Sequence, residues 1–187
     1  MKFYRLMLFS LLFCLAFPLM SNADQLEDAK AAIKSEDYIK AKRILNSLAN
    51  ENNAEAQNLL GALYVNGQGI DKDITKGLSW IMKAAKQGHK AAQMNAIKLC
   101  MDIGSQGDTS AMFNVGYMCL KGWGGEQDKD ACLRWMETAG KMGHAKSVKT
   151  LIRIYTEGMF GVAPNEEKAA YWSNMTEAFA AGIDGKY

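Results

Sequence analysis

Identical residues recur 55 positions apart through the middle of this 187-residue chain. A further 36 or 37 positions on, Gly158, Ala169 and Trp172 continue the pattern, and Ala92 and Gln93 match residues 36 positions before them. The unit is therefore about 36 residues long, and the 55-residue spacing holds one unit plus 19 residues. The residues that recur at 55 positions are Ala56, Gly61, Gly67, Gly69, Asp73, Leu78, Trp80, Ala84, Lys86, Gly88 and His89, which match Ala111, Gly116, Gly122, Gly124, Asp128, Leu133, Trp135, Ala139, Lys141, Gly143 and His144.

Apolar residues within each unit follow the period of an α-helix. Leu60, Leu63 and Tyr64 share one helical face, and Ile81 and Ala85 share another. Because β-branched runs with a period of two are hard to find, the pattern predicts an all-α chain. The expected helices are 24–34, 37–50, 54–66, 74–87, 90–103, 109–121, 128–142, 145–157 and 166–181.

The two best-matched units resemble Sel1-like repeats, which are relatives of the tetratricopeptide repeat. They read AEAQNLLGALYVNGQGIDKDITKGLSWIMKAAKQGHKAA and SAMFNVGYMCLKGWGGEQDKDACLRWMETAGKMGHA. The resemblance implies a right-handed α-solenoid of antiparallel helix pairs that binds proteins, in bacteria often outside the cytoplasm. Combined with the 55-residue spacing, the resemblance predicts a division into an N-terminal cap (24–53), a repeat (54–89), an irregular half-repeat (90–108), a repeat (109–144) and a C-terminal repeat (145–187). The half-repeat departs from the family pattern and interrupts the regular superhelix.

Residues 1–23 have the form of a cleavable secretory signal peptide. Lys2 and Arg5 precede an apolar run that ends in Ser21, Asn22 and Ala23. The alternative is an uncleaved membrane anchor, although the run is shorter than the roughly 20 residues that a span needs. Removing this segment brings the net charge from +2 to zero, with acidic and basic residues interleaved. The sequence therefore predicts a periplasmic or secreted protein that binds no nucleic acid and is not inserted in a membrane.

The stretch NGQGIDKD, residues 66–73, could be a phosphate loop, a calcium loop or a turn. Its counterparts in the next units read KGWGGEQD and EGMFGVAPN, so only the first glycine persists. It lacks the lysine followed by serine or threonine of a phosphate loop and the acidic spacing of a calcium loop. We therefore predict a helix ending at Gly67, followed by a helix that Asp73 caps.

No catalytic or metal-binding set is predicted, and no cofactor. His89 and His144 occupy equivalent positions where the preceding unit has Asn53, so helix capping explains them. The mature chain contains no pair of histidines at spacing four and no serine three residues before a lysine.

Three cysteines follow the signal segment, and we expect two of them to be bridged. Cys119 takes the place of Tyr64 and Tyr155, and Cys132 takes the place of a small residue on the partner helix. The prediction is a Cys119–Cys132 disulfide, with Cys100 free or buried. The alternative is that both are buried thiols that pack as small hydrophobes.

A partner surface is predicted on the first helices of the units, where non-core positions vary from copy to copy. The middle copy has aromatic residues where its neighbours are polar, which is typical of interface hot spots. The alternative is that Phe113 and Tyr117 pack against the half-repeat. The predicted partner-binding residues are Phe113, Tyr117, Lys121, Trp123, Lys149 and Arg153.

Three functions are compatible with these features. The first is a non-enzymatic interaction protein, most concretely an immunity or inhibitor protein that neutralises a lipase-type or other effector in the periplasm. The second is an envelope scaffold or a regulator of cell-wall or host-contact proteins. The third is a weak β-lactamase-like hydrolase, which the missing nucleophile argues against.

Overall fold

A computed structural model describes residues 21–125 and 128–180, and this part of the chain is an all-α solenoid without strands. The helix bounds differ by at most two residues from the predicted ones. A short 3-10 turn, Met159–Gly161, follows the eighth helix. The helices are α1 (Asn22–Lys34), α2 (Tyr38–Asn50), α3 (Ala54–Asn66), α4 (Ile74–Lys86), α5 (Lys90–Gly104), α6 (Thr109–Leu120), α7 (Lys129–Lys141), α8 (Ala145–Glu157) and α9 (Glu166–Ala180).

The predicted signal segment lies almost entirely outside the described residues, which begin at Ser21. The Ser21 hydroxyl accepts a hydrogen bond from the Asp24 amide at 3.1 Å and caps α1. None of the helices in the described ranges has the length and apolar character needed to cross a membrane.

Each helix packs mainly on the helices before and after it in the sequence. The buried side chains fall into three successive clusters, the first formed by α1–α3, the second by α4–α6 and the third by α6–α9. Because every cluster spans more than one unit, no unit has a complete core of its own.

Glycines inside helices allow two helix pairs to approach closely. A Cβ added at Gly61 would lie 2.6 Å from Ile81 Cγ1 and 2.8 Å from the Gly77 carbonyl oxygen. In the next unit, a Cβ at Gly116 would lie 2.7 Å from the Cys132 carbonyl oxygen. The α3–α4 and α6–α7 pairs therefore depend on the absence of a side chain at these positions.

The helix following each unit boundary starts at an equivalent capping residue. The side chains of Asn53, His89, Asp108 and His144 each accept a backbone amide hydrogen bond at the start of α3, α5, α6 and α8, respectively. The predicted capping role of the two histidines is confirmed. Asp108, the last residue of the predicted half-repeat, caps α6 in the same way.

The half-repeat is one helix, α5, that begins like the first helix of a unit and ends like the second. At its start, Gln93 donates to the Ala85 carbonyl at 3.2 Å, as Gln57 donates to the Ala49 carbonyl at 3.0 Å. At its end, Gly104 precedes the next cap by four residues, as Gly140 does in α7. The 19-residue spacing is thus a unit that lacks the end of its first helix, the loop and the start of its second helix.

The small residues at the ends of α5 and α7 are covered by tryptophans in the same way. A Cβ at Gly140 would lie 2.8 Å from the Trp172 ring, and one at Gly104 would lie 3.3 Å from the Trp135 ring. The α6–α7 pair therefore packs on α5 as the α8–α9 pair packs on α7, which is the second helix of the preceding unit.

Alternate helices of the solenoid form two layers. Because the half-repeat adds a single helix, the first helices of the later units lie in the layer that holds the second helices of the earlier units. Contacts between alternate helices join α3 to α5 through Asn95 and Asn58 (3.0 Å), α5 to α7 through Trp135, and α7 to α9 through Trp172. The first helices α6 and α8 meet in the opposite layer, where the Phe113 and His144 rings are 5.4 Å apart. The first-helix face of α3 and that of α6 and α8 thus lie on different sides of the molecule.

Candidate partner-binding surface

Four rings form a continuous row along α6 and α8, which we call the aromatic row: His144, Phe113, Tyr117 and Phe160. Successive ring centroids are 5.4, 5.7 and 5.9 Å apart. Phe113 and Tyr117 stack because they are one helical turn apart on α6. Phe160 reaches the end of the row from the turn after α8, where its backbone has a φ of 58°.

Within the row, one inner ring is buried and the other is exposed, while His144 and Phe160 at its two ends are half-buried. Phe113 is 4% exposed and belongs to the core cluster of α6–α9, whereas Tyr117 is 37% exposed and Phe160 is half-buried. Tyr117 presents its ring to Phe160 edge-to-face. A partner side chain can therefore reach Tyr117 and Phe160, while Phe113 supports Tyr117 from below.

Lysines from both helices lie over the aromatic row. The Lys146 Nζ lies 4.8 Å from the Phe113 centroid, and the Lys121 Nζ lies 5.6 Å from Tyr117 and 5.9 Å from Phe160. Such cation–π contacts hold an ammonium group near an apolar surface.

The predicted residues Lys149 and Arg153 are exposed on α8, one turn apart. Arg153 donates from Nε and from one terminal nitrogen to Glu157, at 3.2 and 3.1 Å. This hydrogen-bonded pair lowers the pKa of the Glu157 carboxyl. Arg153 therefore forms an exposed ion pair along the surface of α8.

Trp123 lies elsewhere. The chain turns at Gly122, which has a φ of 77°, and the half-buried Trp123 side chain packs against the α4–α6 core cluster. The structure thus brings Phe113 and Tyr117 of α6 together with Lys121, the residue that follows α6, and it places Lys149 and Arg153 on α8.

The sequence did not predict His144, Lys146 and Phe160 as members of this surface. His144 was interpreted as a helix cap, which it is, and its ring contact with Phe113 depends on how α8 packs beside α6. The one available signal was Phe160, an aromatic residue in the loop that gains a residue relative to the other copies.

The NGQGIDKD stretch is a turn between two helices. Gly67 ends α3 with a φ of 72°, and the Asp73 carboxylate accepts the Lys76 amide hydrogen bond at 2.8 Å. In the next copy, Asp128 accepts amide hydrogen bonds from Asp130 and Ala131, which lower the pKa of its carboxyl. The described ranges contain no cluster of three histidine, cysteine or acidic side chains placed to hold a metal ion.

Cys119 and Cys132 form a disulfide between α6 and α7, with their Cα atoms 5.5 Å apart. Cys100 is free and fully buried in α5, and this burial raises the pKa of its thiol to about 11. A disulfide is typical of proteins that fold in an oxidising compartment.

The model of the Sel1 repeat matches residues 54–89, 109–144 and 153–175, which is half of the chain. The chain belongs to the Sel1 repeat family. Proteins built from Sel1 repeats generally bind other proteins and are generally not catalytic. A search of curated proteins finds no significant match.

Several solved structures are similar to this chain. A protective antigen of uropathogenic Escherichia coli is 22% identical over 87% of this chain and 40% of its own, with a TM-score of 0.41. A Sel1 repeat protein from Oxalobacter formigenes is 24% identical over 82% of this chain and 70% of its own, with a TM-score of 0.40. The immunity protein Pa5087 from Pseudomonas aeruginosa is 14% identical over 88% of this chain and 83% of its own, with a TM-score of 0.36. The chain thus spans two-fifths of the length of the first of these structures.

Proposed function

We propose that this Sel1 repeat protein is an exported, non-enzymatic protein that holds a protein partner on the surface formed by α6 and α8. The observation that carries the proposal is the aromatic row, in which the partly exposed Tyr117 is stacked on Phe113 and a lysine lies over each of these two rings. Tyrosine and arginine supported by packed neighbours are the residues that dominate protein interfaces.

In its most concrete form, the protein is an immunity or inhibitor protein that occludes a lipase-type or other effector in the periplasm. Occlusion requires a shaped surface and no reacting groups, and the aromatic row offers such a surface. Export is supported by the Cys119–Cys132 disulfide, which fits an oxidising compartment.

The proposed binding residues are Tyr117, Lys121, Lys149 and Arg153, with Phe113 as a support for Tyr117. Trp123 is tested on its own because it packs against the α4–α6 cluster. Substituting it by alanine separates a contact with the partner from a contribution to folding.

The test is crosslinked co-purification of the exported protein from its own host. Its intact mass should correspond to a chain beginning at Asp24, and one protein partner should be held. Tyr117→Ala should weaken partner binding by about 30-fold, or ~2 kcal/mol, at an unchanged melting temperature.

Tyr171→Ala is the matched control, since Tyr171 is a tyrosine of similar exposure, 40%, on α9. Its substitution should leave partner binding unchanged. Equal losses for both variants, or no loss for Tyr117→Ala, would contradict the proposed surface. A captured cell-wall enzyme or host-contact protein instead of an effector would show that the protein is an envelope scaffold or regulator.

A further inference from the structure

We infer that the α6–α8 surface accepts an acidic segment of its partner, in which carboxylates on both sides of an apolar or aromatic side chain meet Lys121 and Lys146. This inference rests on the proposed function, because it names the chemistry of the partner that would be held there. The apolar side chain would contact Tyr117 and Phe160.

The charge of the surface favours an acidic partner. Lys121, Lys146 and Lys149 are exposed, and within the described residues none of them lies within ion-pair distance of a carboxylate. The acids nearby are already engaged: Glu157 pairs with Arg153, and Asp108 caps α6. The surface therefore carries unpaired positive charge in a chain whose overall charge is close to neutral.

Another lysine of the chain lies over an aromatic ring and has a carboxylate nearby. Lys76 lies 4.5 Å from the Tyr64 centroid, and its interaction with Tyr64, together with a smaller contribution from the Asp73 carboxylate, raises the pKa of Lys76. Lys121 and Lys146 also lie over rings, and in the described ranges no carboxylate lies within ion-pair distance of either. A partner carboxylate would add the missing charge, and charge complementarity of this kind sets specificity and association rate.

The spacing of the groups indicates where the partner's charges must lie. Lys146 lies over Phe113 and Lys121 lies over Tyr117 and Phe160, so the two ammonium groups lie toward opposite ends of the stacked rings. Tyr117, the most exposed ring of the row, stacks on Phe113, the ring that Lys146 covers. A segment with an acid before and an acid after an apolar residue satisfies both lysines while its apolar side chain covers the rings.

A polyanion is a different partner that the same lysines could attract. The basic residues here form a short cluster beside exposed aromatic rings, whereas binders of nucleic acids and anionic membranes carry an extended positive field. The observations therefore favour an acidic protein segment, and polyanion binding becomes an outcome of the test.

The experiment is selection from a random peptide display library on the oxidised protein of residues 24–187. We expect the enriched peptides to carry acids on both sides of an apolar or aromatic residue. A synthetic copy of the most enriched peptide, measured by fluorescence anisotropy, should bind Lys121→Glu and Lys146→Glu at least about tenfold more weakly. Lys98→Glu on α5 is the matched control and should bind it normally.

Other outcomes would overturn the inference. Enriched peptides without an excess of acids, an absence of enriched peptides, or binding unaffected by Lys121→Glu would each do so. In a further outcome, the protein binds duplex DNA, or vesicles containing about 30% phosphatidylglycerol, more tightly than the enriched peptide and through the same lysines. That result would overturn the inference and identify a polyanion surface. Neutral peptides that need Tyr117 would overturn the acidic inference and leave the proposed function standing, since that is judged by co-purification of the native partner.

Discussion

At the scale of single residues, His144 combines two structural roles. Its Nδ1 accepts the Ser147 amide hydrogen bond at 3.2 Å and lies 2.9 Å from the Ser147 hydroxyl, while its ring contacts Phe113. Burial lowers the pKa of His144 below 6.5, the nearby Lys146 lowers it further, and Asp108 opposes the shift. The neutral imidazole is therefore the form that caps α8.

We predict that His144 makes the folded protein less stable in mild acid. Because its pKa is lower in the folded state than in the unfolded state, stability is lost as the pH falls below about 6.5. His144→Asn preserves the cap, as Asn53 does in α3, but does not titrate. Between pH 7.5 and 5, the wild type should lose up to about 1 kcal/mol more than this variant, the usual value of an N-cap.

Guanidinium unfolding at the two pH values measures this difference. The variant is its own control for the other groups that titrate in this range, since these are unchanged. Equal losses in both proteins would show that His144 remains neutral or that its cap contributes nothing.

Gly61 illustrates a residue whose importance lies in the absence of a side chain. We predict that Gly61→Ala destabilises the fold by about 2 kcal/mol, because its Cβ would overlap Ile81 and the Gly77 backbone. The control is Gly104→Ala, whose nearest neighbour is the Met112 side chain at 3.2 Å, and it should cost less. Denaturant midpoints compare the two, and an equally stable Gly61→Ala would mean that α3 and α4 can move apart.

At the scale of helix pairs, the disulfide replaces an aromatic–lysine contact. Tyr64 lies under Lys76 in the α3–α4 pair at 4.5 Å, and Tyr155 lies under Lys168 in the α8–α9 pair at 5.0 Å. In the α6–α7 pair, the tyrosine position is Cys119, which is bonded to Cys132. The disulfide thus joins two helices that lack the tyrosine–lysine contact of the α3–α4 and α8–α9 pairs.

We predict that reducing this disulfide destabilises the protein by roughly 3 kcal/mol, the value expected for a short closed loop. Reductant should shift the guanidinium midpoint of the wild type and leave that of a Cys119→Ala, Cys132→Ala variant unchanged. Alkylation of the unfolded protein without reductant should label Cys100 alone. Labelling of all three cysteines would show that the pair is not bonded in the isolated protein.

The sequence predicted the helices well because each starts at a capping residue and has an apolar face of helical period. It predicted the partner surface less completely, because that surface joins neighbours from different units. Phe160 and Lys146 meet α6 only through the packing of α8 beside it, which no pattern within one helix shows. Trp123 is close to Tyr117 in sequence, yet the turn at Gly122 directs it to another cluster.

At the scale of the whole molecule, α5 decides which surfaces face the same way. The sequence identified a half-repeat by its 19-residue length. On which side of the molecule the later first helices lie depends, in addition, on the direction in which each helix runs. In an array of antiparallel helices, one additional helix reverses the direction of every helix after it. The first-helix faces of α6 and α8 therefore lie on the side of the molecule opposite to that of α3. A partner held on the aromatic row therefore does not extend over the first-helix face of α3.

We predict that a second copy of residues 90–108, inserted after Asp108, is accepted by the fold. The copy begins with the first-helix residues that pack on a preceding second helix, and it ends with the second-helix residues that Met112 and Trp135 cover. Because the stability of repeat arrays is close to a sum of units and neighbouring interfaces, compatible ends are sufficient.

The control is a second copy of residues 54–73 inserted after Asp73, which places two first helices in succession. There Gly61 of the first α3 would face another first helix in place of Gly77, so the close approach that stabilises the pair would be lost. Circular dichroism and guanidinium unfolding should show a cooperative, wild-type-like transition for the first insertion and a strongly destabilised protein for the second. If both insertions unfold the protein, the ends of α5 are not interchangeable with those of complete units, and the change of layer depends on contacts specific to this one helix.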